Sequence, residues 1–386
     1  MKLSIVTHNV IKGNGQGRVN YEITWEAIRR GHYVTLLASQ VAPELQENSQ
    51  VKWISIPVKN WPTEFIRNMI FSWRSAIWLR QHRSEFDLVK ANGAITLFPA
   101  DVNAVHFVHS SWLKFSAKGA VSKSLKTLLN PRGVLYDFYQ WLYTAVNARW
   151  EKKAFSQAKI VVAISNQIAK DLLNIGVAPE CLQVILNGVD LQEFSPGTTD
   201  RKTWGLPSGV PLALFAGDIR IPRKNLDTVL QALVKVPNLH LAVAGITEGS
   251  PYLQLADSVG LSDRVHFLGL RYDVPQLMKA VDFLVFPSRY EPFGLVVIEA
   301  MACGLPVITA QTTGAAELVT PESGIVLPDP DDAQALAQAL LVLASDRALR
   351  ERMGKAARAI AQNHSWDQMA QRYVDLFEEL SLSSKV

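Results

Sequence analysis

Two glutamates eight residues apart, Glu291 and Glu299, stand in the segment VFPSRYEPFGLVVIEAMACG (285–304). Carboxylates accept hydroxyl hydrogen bonds strongly, so the pair suits a polyhydroxylated ligand. The run ending at Pro287–Ser288 predicts a strand. A loop carrying Glu291, Pro292, Phe293 and Gly294 follows it, then a helix from about Leu295 to Cys303 that Gly304 stops. A helix starting at Gly294 would aim backbone N–H groups at an anion such as a diphosphate. At about 1.5 Å of rise per helical residue, the two glutamates are at most roughly 12 Å apart along the axis. That is the scale separating a ribose from a sugar across a diphosphate. Taken as pattern alone, a helix-start carboxylate and a surface residue would leave the same trace.

A second segment, LFAGDIRIPRKN (214–225), sets Arg220, Arg223 and Lys224 beyond a strand end. Such cations would neutralise a diphosphate leaving group as its bond to a sugar breaks; a solvated charged turn reads the same way. A third, KGNGQGRVNYE (12–22), follows the first strand, and Gly13, Gly15 and Gly17 would let backbone approach a ligand closely. Its spacing is G-x-G-x-G, so the G-x-G-x-x-G dinucleotide fingerprint is missed. A fourth, HFVHSSW (106–112), places His109 at the end of an expected strand, where an imidazole can bond a sugar hydroxyl or handle a proton. His106 would point to the other face, and one of the two would be an ordinary core histidine. Asp329-Pro330-Asp331 is a literal D-x-D, but it precedes the helix DAQALAQAL, where Asp is the expected N-cap, and no metal role is assigned to it.

Parallel strands alternating with helices must carry these residues. In the first half KLSIVTH, YVTLLAS, DLVKANG, NAVHFVH and IVVAIS read as strands, with a helix from Val19 to Arg30. The Gly- and Pro-rich stretch 187–211 is the linker, and the rhythm restarts at PLALFAG, HLAVAG, RVHFLG, FLVFPS, PVITA and GIVLP. The expectation is an α/β chain of two doubly wound, Rossmann-like domains, with ligands beyond the carboxyl ends of the strands. In the tail from Trp366, Met369, Tyr373, Val374, Phe377 and Leu380 recur at helical spacing and would pack on a domain surface.

Composition narrows the class. The 386 residues suffice for two domains, and 48% hydrophobic content supports large cores. Two distant cysteines, Cys181 and Cys303, exclude a disulfide framework and a zinc site and fit a reducing compartment. No apolar stretch reaches a spanning length of roughly 20 residues, and the N-terminal run is too short for a signal peptide, so a cytoplasmic protein is expected. Residues 1–195 hold 22 Lys+Arg against 14 Asp+Glu, while the remainder is net acidic. The basic half suits an anionic partner such as the inner face of a membrane or a charged acceptor; no nucleic-acid motif appears. The stretch 61–83 sets Phe65, Met69, Trp73 and Ile77 at helical spacing among Arg67, Arg74, Arg80 and Arg83, and Lys114, Lys118, Lys123 and Lys126 follow. It fits either a peripheral membrane contact or a helix buried on a sheet with snorkelling arginines.

Together these segments resemble the large retaining glycosyltransferase family 4, of GT-B fold, over nearly the whole chain. PSRYEPFGLVVIEAMACGLPVI looks like that family's E-x7-E region, with Glu291 and Glu299 as its glutamates, and VVAISNQIAKDLL with VILNGVDLQEFSP is similar to its segment entering the interdomain linker. The resemblance implies two domains facing a central cleft: an acceptor domain over 1–190, with 366–386 crossing back to it, and a nucleotide-sugar donor domain over 195–365. It implies that Glu299 binds ribose hydroxyls, and that Glu291 with the backbone of Phe293, Gly294 and Leu295 holds donor sugar and phosphate. Arg223 and Lys224 would bind the diphosphate, Gly13 and Gly15 would close over the donor, and His109 would touch the transferred sugar. His109, Glu291 and Lys224 would be the catalytic set, with no metal and no cofactor beyond a UDP- or GDP-type sugar donor; the acceptor would be a carbohydrate or lipid-linked hydroxyl.

The sequence departs from the family at Asp218, where many members carry arginine after the glycine matching Gly217. An acid there is unfavourable beside a diphosphate, and Arg220 or the Arg223–Lys224 pair would have to compensate. A nucleotide-sugar epimerase or a phosphorylase on the same fold, and a non-catalytic sugar-binding scaffold, stay open at this level. A Rossmann oxidoreductase is disfavoured by the missing fingerprint and the missing acidic partner.

Overall fold

The computed structural model describes residues 1–13, 15–113 and 131–383. Lys114, Lys118, Lys123 and Lys126 lie outside the described residues. The chain divides into two compact units, Met1–Leu186 with Trp366–Val386, and Asn187–Ser365. The division falls at Leu186 rather than at 190. From Asn187 onward the chain is tied into the second unit, where the Val189 amide donates to the His364 carbonyl (3.0 Å) and Val189 bridges Ser365.

In the first unit seven parallel strands lie in the order Val51–Ser55, Tyr33–Ala38, Lys2–Val6, Leu88–Asn92, Val102–Val105, Ile160–Ala163 and Leu182–Val184. The central strands are buried almost throughout, which is why they read as continuous apolar runs, whereas the edge strand Val51–Ser55 is half-exposed. The order reverses between Lys2–Val6 and Leu88–Asn92, opening a crevice at their carboxyl ends. Helix Gly15–Arg29 begins four residues before the expected Val19, because the glycines are part of its first turn.

The C-terminal helix Trp366–Ser383 packs beside Gly15–Arg29. Its stripe of Met369, Tyr373, Val374 and Phe377 is buried. Ion pairs flank that seam: Arg29 with Asp367 (3.0 Å), and Arg30 with Asp375 (2.6 Å) and Glu378 (3.0 Å).

Helix Glu64–His82 leaves part of the stripe Phe65, Met69, Trp73 and Ile77 uncovered. Phe71 and Leu79 are buried with Val6, Leu37 and Val89, while Met69 and Trp73 are 43% and 58% exposed. Thr63 caps it by accepting from the Ile66 amide.

The second unit repeats the pattern with six parallel strands: Val265–Phe267, His240–Ala244, Leu212–Ala216, Phe283–Phe286, Val307–Ala310 and Gly324–Leu327. Here the order reverses between Leu212–Ala216 and Phe283–Phe286, so the two cation- and carboxylate-bearing loops leave adjacent strand ends.

Candidate active site

At that reversal point the loop after Leu212–Ala216 tightens into a single 3₁₀ turn, Pro222–Lys224. Pro222 presets its backbone, and Asn225 closes it at φ 69°, a left-handed conformation that asparagine tolerates better than most residues. Asn225 is fully buried, and its Nδ2 donates to the carbonyls of Pro287 (2.9 Å) and Pro330 (2.6 Å). The Arg223 carbonyl accepts from the Arg289 amide (2.8 Å) and the Ser288 hydroxyl (2.9 Å). These bonds lock the basic loop to the glutamate loop.

Their side chains then converge. Glu291 Oε2 accepts from Arg223 Nη1 (3.0 Å) and from Lys224 Nζ, and Arg223 Nη1 also reaches the Tyr290 carbonyl (2.8 Å). Lys224 Nζ lies 5.0 Å from the centre of the Phe286 ring. Burial lowers the Lys224 pKa against the opposing pull of Glu291. The Glu291 backbone is held on both sides: its amide donates to Thr312 (3.0 Å) and its carbonyl accepts from Gly314 (2.8 Å).

Gly294 begins helix Leu295–Ala302 at φ 89°. A Cβ there would sit 2.9 Å from Thr313 Cγ2 and 3.2 Å from Glu291 Cγ, so only glycine lets the helix start against Glu291. The first helical amides, Leu295 and Val296, have no intrahelical acceptor and supply partial positive charge beside the two cations. Phe293 is buried, and its carbonyl accepts from the Ala315 amide (2.6 Å). Arg223, Lys224, Glu291, Phe293, Gly294 and Leu295 thus form one cluster.

Glu299 lies one helical turn into Leu295–Ala302 and is half-buried. Burial, with a lesser push from the Glu193 carboxylate, raises its pKa to about 7. It makes no ion pair among the described residues.

Asp218 forms a two-pronged pair with Arg220, which also sits on this loop. The bond to Arg220 holds the Asp218 carboxyl below its ordinary range. Asp331 of the D-x-D pairs with Arg289 (2.6 Å), Asp329 accepts from the Asp331 amide, and the N-cap of the next helix is Asp332.

His109, Gly13 and Gly15 belong to the first unit. The expected strand through His109 stops at Val105, so His106 and His109 both lie beyond it and are not on opposite faces of one strand; His109 opens a helical turn. Its Nδ1 bonds Glu151 Oε1 (2.5 Å) and its amide donates to Glu151 Oε2 (2.9 Å). Glu151, 2% exposed, thereby orients the ring and leaves Nε2 for another group. His106 instead has a buried Nε2 with no hydrogen-bond partner among the described residues, and burial with the Lys90 charge pushes its pKa down to about 3. Gly13 has φ 64° with open space where a Cβ would be, and Gly15 starts the first helix.

Sequence reasoning missed Asn225, Ser288 and Glu151. The first two act through bonds to backbone, which leave only a faint trace, asparagine next to a basic pair. Glu151 stands 42 residues from His109 in sequence and could be found only in three dimensions.

Two family models match the chain almost end to end: Glycosyltransferase Family 4 over residues 13–193, and Glycosyl transferases group 1 over 197–360. The chain belongs to glycosyltransferase family 4. Among curated proteins, the D-inositol 3-phosphate glycosyltransferase of Xylanimonas cellulosilytica is 33% identical over 246 residues, 59% of each chain. That of Mycobacterium marinum is 34% identical over 56% of this chain and 49% of its own. The chain spans about three fifths or less of the length of these relatives. Among solved structures, sucrose-phosphate synthase from Thermosynechococcus elongatus superposes with a TM-score of 0.77 at 21% identity, covering 99% of both chains. Anabaena HepE in complex with UDP and glucose gives 0.71 at 22% identity, over 98% of this chain and 99% of its own. The fold of this family 4 member is GT-B, with two Rossmann-like units.

Proposed function

We propose that the protein transfers a sugar, with retention of configuration, from a nucleoside diphosphate sugar to a hydroxyl acceptor. The observation that carries this reading is the convergence of Arg223, Lys224 and Glu291 on a helix N-terminus at the sheet's reversal point. In the reaction the sugar C1–O(phosphate) bond breaks and a C1–O(acceptor) bond forms. The departing diphosphate oxygen gains negative charge and takes the acceptor's hydroxyl proton. Arg223 and Lys224 face that charge, while Glu291 holds both cations in place before the donor arrives. Glu299 takes the ribose hydroxyls, and in the first unit Glu151 fixes the orientation of the His109 ring. These groups do the electrostatic work without a metal. Arg220 pairs with Asp218 within its own loop, which supports a working donor site over a decayed scaffold.

The donor is proposed to be of the UDP type, as in the Anabaena HepE complexes. For the acceptor we propose a cavity of about 570 Å³ in the first unit, whose lining includes His8, Ser39, Lys59, Glu64, Arg67 and Asn68. Amide, carboxylate and imidazole suit hydroxyls, and the two cations suit a phosphate of the kind named in the curated relatives. Exposed Met69 and Trp73 on helix Glu64–His82, beside Arg67, Arg74 and Arg80, fit peripheral contact with an anionic membrane. Among the described residues, no helix is long and apolar enough to cross a membrane.

Melting temperature against UDP, GDP, ADP and their sugars, with and without a chelator, tests the reading. Binding to the native state raises it by mass action. A shift with one base, indifferent to chelator, is expected; no shift with any of them would overturn the donor site.

A further inference from the structure

Lys90 is fully buried in the middle of strand Leu88–Asn92, and no carboxylate pairs with it among the described residues. Its Nζ donates to Asn20 Oδ1 and to Asn92 Oδ1 (2.7 Å) and lies 5.7 Å from the centre of the Tyr373 ring. Burial alone lowers its pKa to about 7. Around it the Asn92 Nδ2, His106 Nε2 and Tyr373 hydroxyl are buried without hydrogen-bond partners among the described residues. An ammonium in such a place costs stability, and a methionine of similar length would fill the space without the charge. A core designed for stability alone has no use for it.

Asn20 shows what the cation organises. It too is fully buried, on helix Gly15–Arg29, and its Oδ1 is taken by Lys90. That fixes the amide's other end, so Nδ2 donates to the Gln16 carbonyl (2.9 Å) and reaches Thr7 Oγ1 (3.4 Å). Gln16 lies in the first turn of the helix, directly after Gly15, and Thr7 directly follows the first strand. One ammonium therefore braces both sides of the first unit's reversal point: the glycine turn through Asn20, and the end of strand Leu88–Asn92 through Asn92.

We propose that Lys90 is a positioning residue, whose ammonium acts through Asn20 to hold the first unit's glycine turn, Gly13 with Gly15–Gly17, in its phosphate-binding geometry. The inference rests on the reading that this turn contacts the donor.

Calorimetric titration of the full chain with UDP-glucose and GDP-mannose, using whichever binds the wild type, tests it alongside melting temperature. Lys90→Met removes the cation and keeps the volume. Asn20→Asp gives the ammonium a counter-charge but loses the Nδ2 donor to Gln16. Both variants are expected to stay folded and to bind donor about tenfold more weakly, a loss larger than any fall in melting temperature accounts for. Wild-type donor affinity in Lys90→Met, or in Asn20→Asp should the first not fold, overturns the proposal. Gly13→Ala, strained at φ 64°, probes the turn by itself. If it weakens donor binding while the other two do not, the turn's role stands and the Lys90 assignment falls. If it binds like the wild type, the turn's contact with donor falls and the inference with it.

Discussion

Asp218 and Arg220 hold each other in a two-pronged pair, with Arg220 Nε 2.9 Å from Asp218 Oδ1 and Nη2 2.7 Å from Oδ2. The acid that stands where many family members carry arginine is thus neutralised within its own loop, leaving Arg223 and Lys224 as the cations that meet Glu291. Arg220→Ala uncovers the acid and is expected to weaken nucleoside diphosphate binding several-fold. Asp218→Asn is expected to leave it unchanged or tighter, and the double variant to return close to wild type. Calorimetry on all three checks this, and additive losses would show that Arg220 touches the ligand directly.

In the proposed reaction Lys224 has the most direct task, facing charge that grows as the leaving group departs. Removing one such donor typically costs about 10²–10³ in turnover. Lys224→Met should therefore lower kcat by about that factor, with a smaller change in KM. A loss confined to KM would make Lys224 a ground-state binder only.

If Glu299 takes the ribose hydroxyls as proposed, donor binding is expected to depend on pH. Its pKa is raised from the ordinary carboxyl range to about 7, chiefly by burial. A raised acid favours the folded state most at low pH, and this contribution is fully present below about 4.5 and lost as pH rises through 7. Donor affinity should run the other way, since two ribose hydroxyls donate best to the ionised carboxylate. Affinity should fall as pH drops below 7, by up to tenfold per unit. Glu299→Gln should bind more weakly at pH 8 and lose the slope below 7; a slope that survives in this variant would assign it to another group.

Gly294→Ala meets two penalties, a left-handed φ of 89° and a contact of 2.9 Å with Thr313 Cγ2. A loss of about 1–3 kcal/mol in stability is expected from such strain, measurable by urea unfolding. Donor binding should fall as well, because the helix start shifts away from Glu291.

Glu151→Gln would no longer hold His109 as its carboxylate does. A kcat loss of about tenfold with unchanged donor affinity is expected, the size of one hydrogen bond of roughly 1.4 kcal/mol felt only in the transition state. A donor affinity that falls instead would place His109 in binding.

Much of this molecule was written locally. Buried parallel strands must be apolar throughout, so runs such as LALFA and FLVF announced themselves, as did the glycine that starts the helix beside Glu291. Periodicity also recovered the buried stripe of the C-terminal helix, because one face of it must meet another helix. At Met69 and Trp73 it left two readings open, since helical spacing says that a face is apolar but not which face the sheet covers. Likewise the run through His109 looked like strand to its end, although pairing with the neighbouring strand stops at Val105.

What the sequence by itself determined is the repeated strand–helix rhythm, the E-x7-E pair and the basic loop, because these depend on neighbours along the chain. Tertiary structure alone decided that Arg223 and Lys224 meet Glu291, that Glu151 holds His109, that Arg220 silences Asp218, and that Lys90 sits buried against Asn20. Strand order brings residues 67 or 70 positions apart within hydrogen-bond reach. No local rule encodes those encounters, and only there do side chains acquire the partners and burial that set their charge.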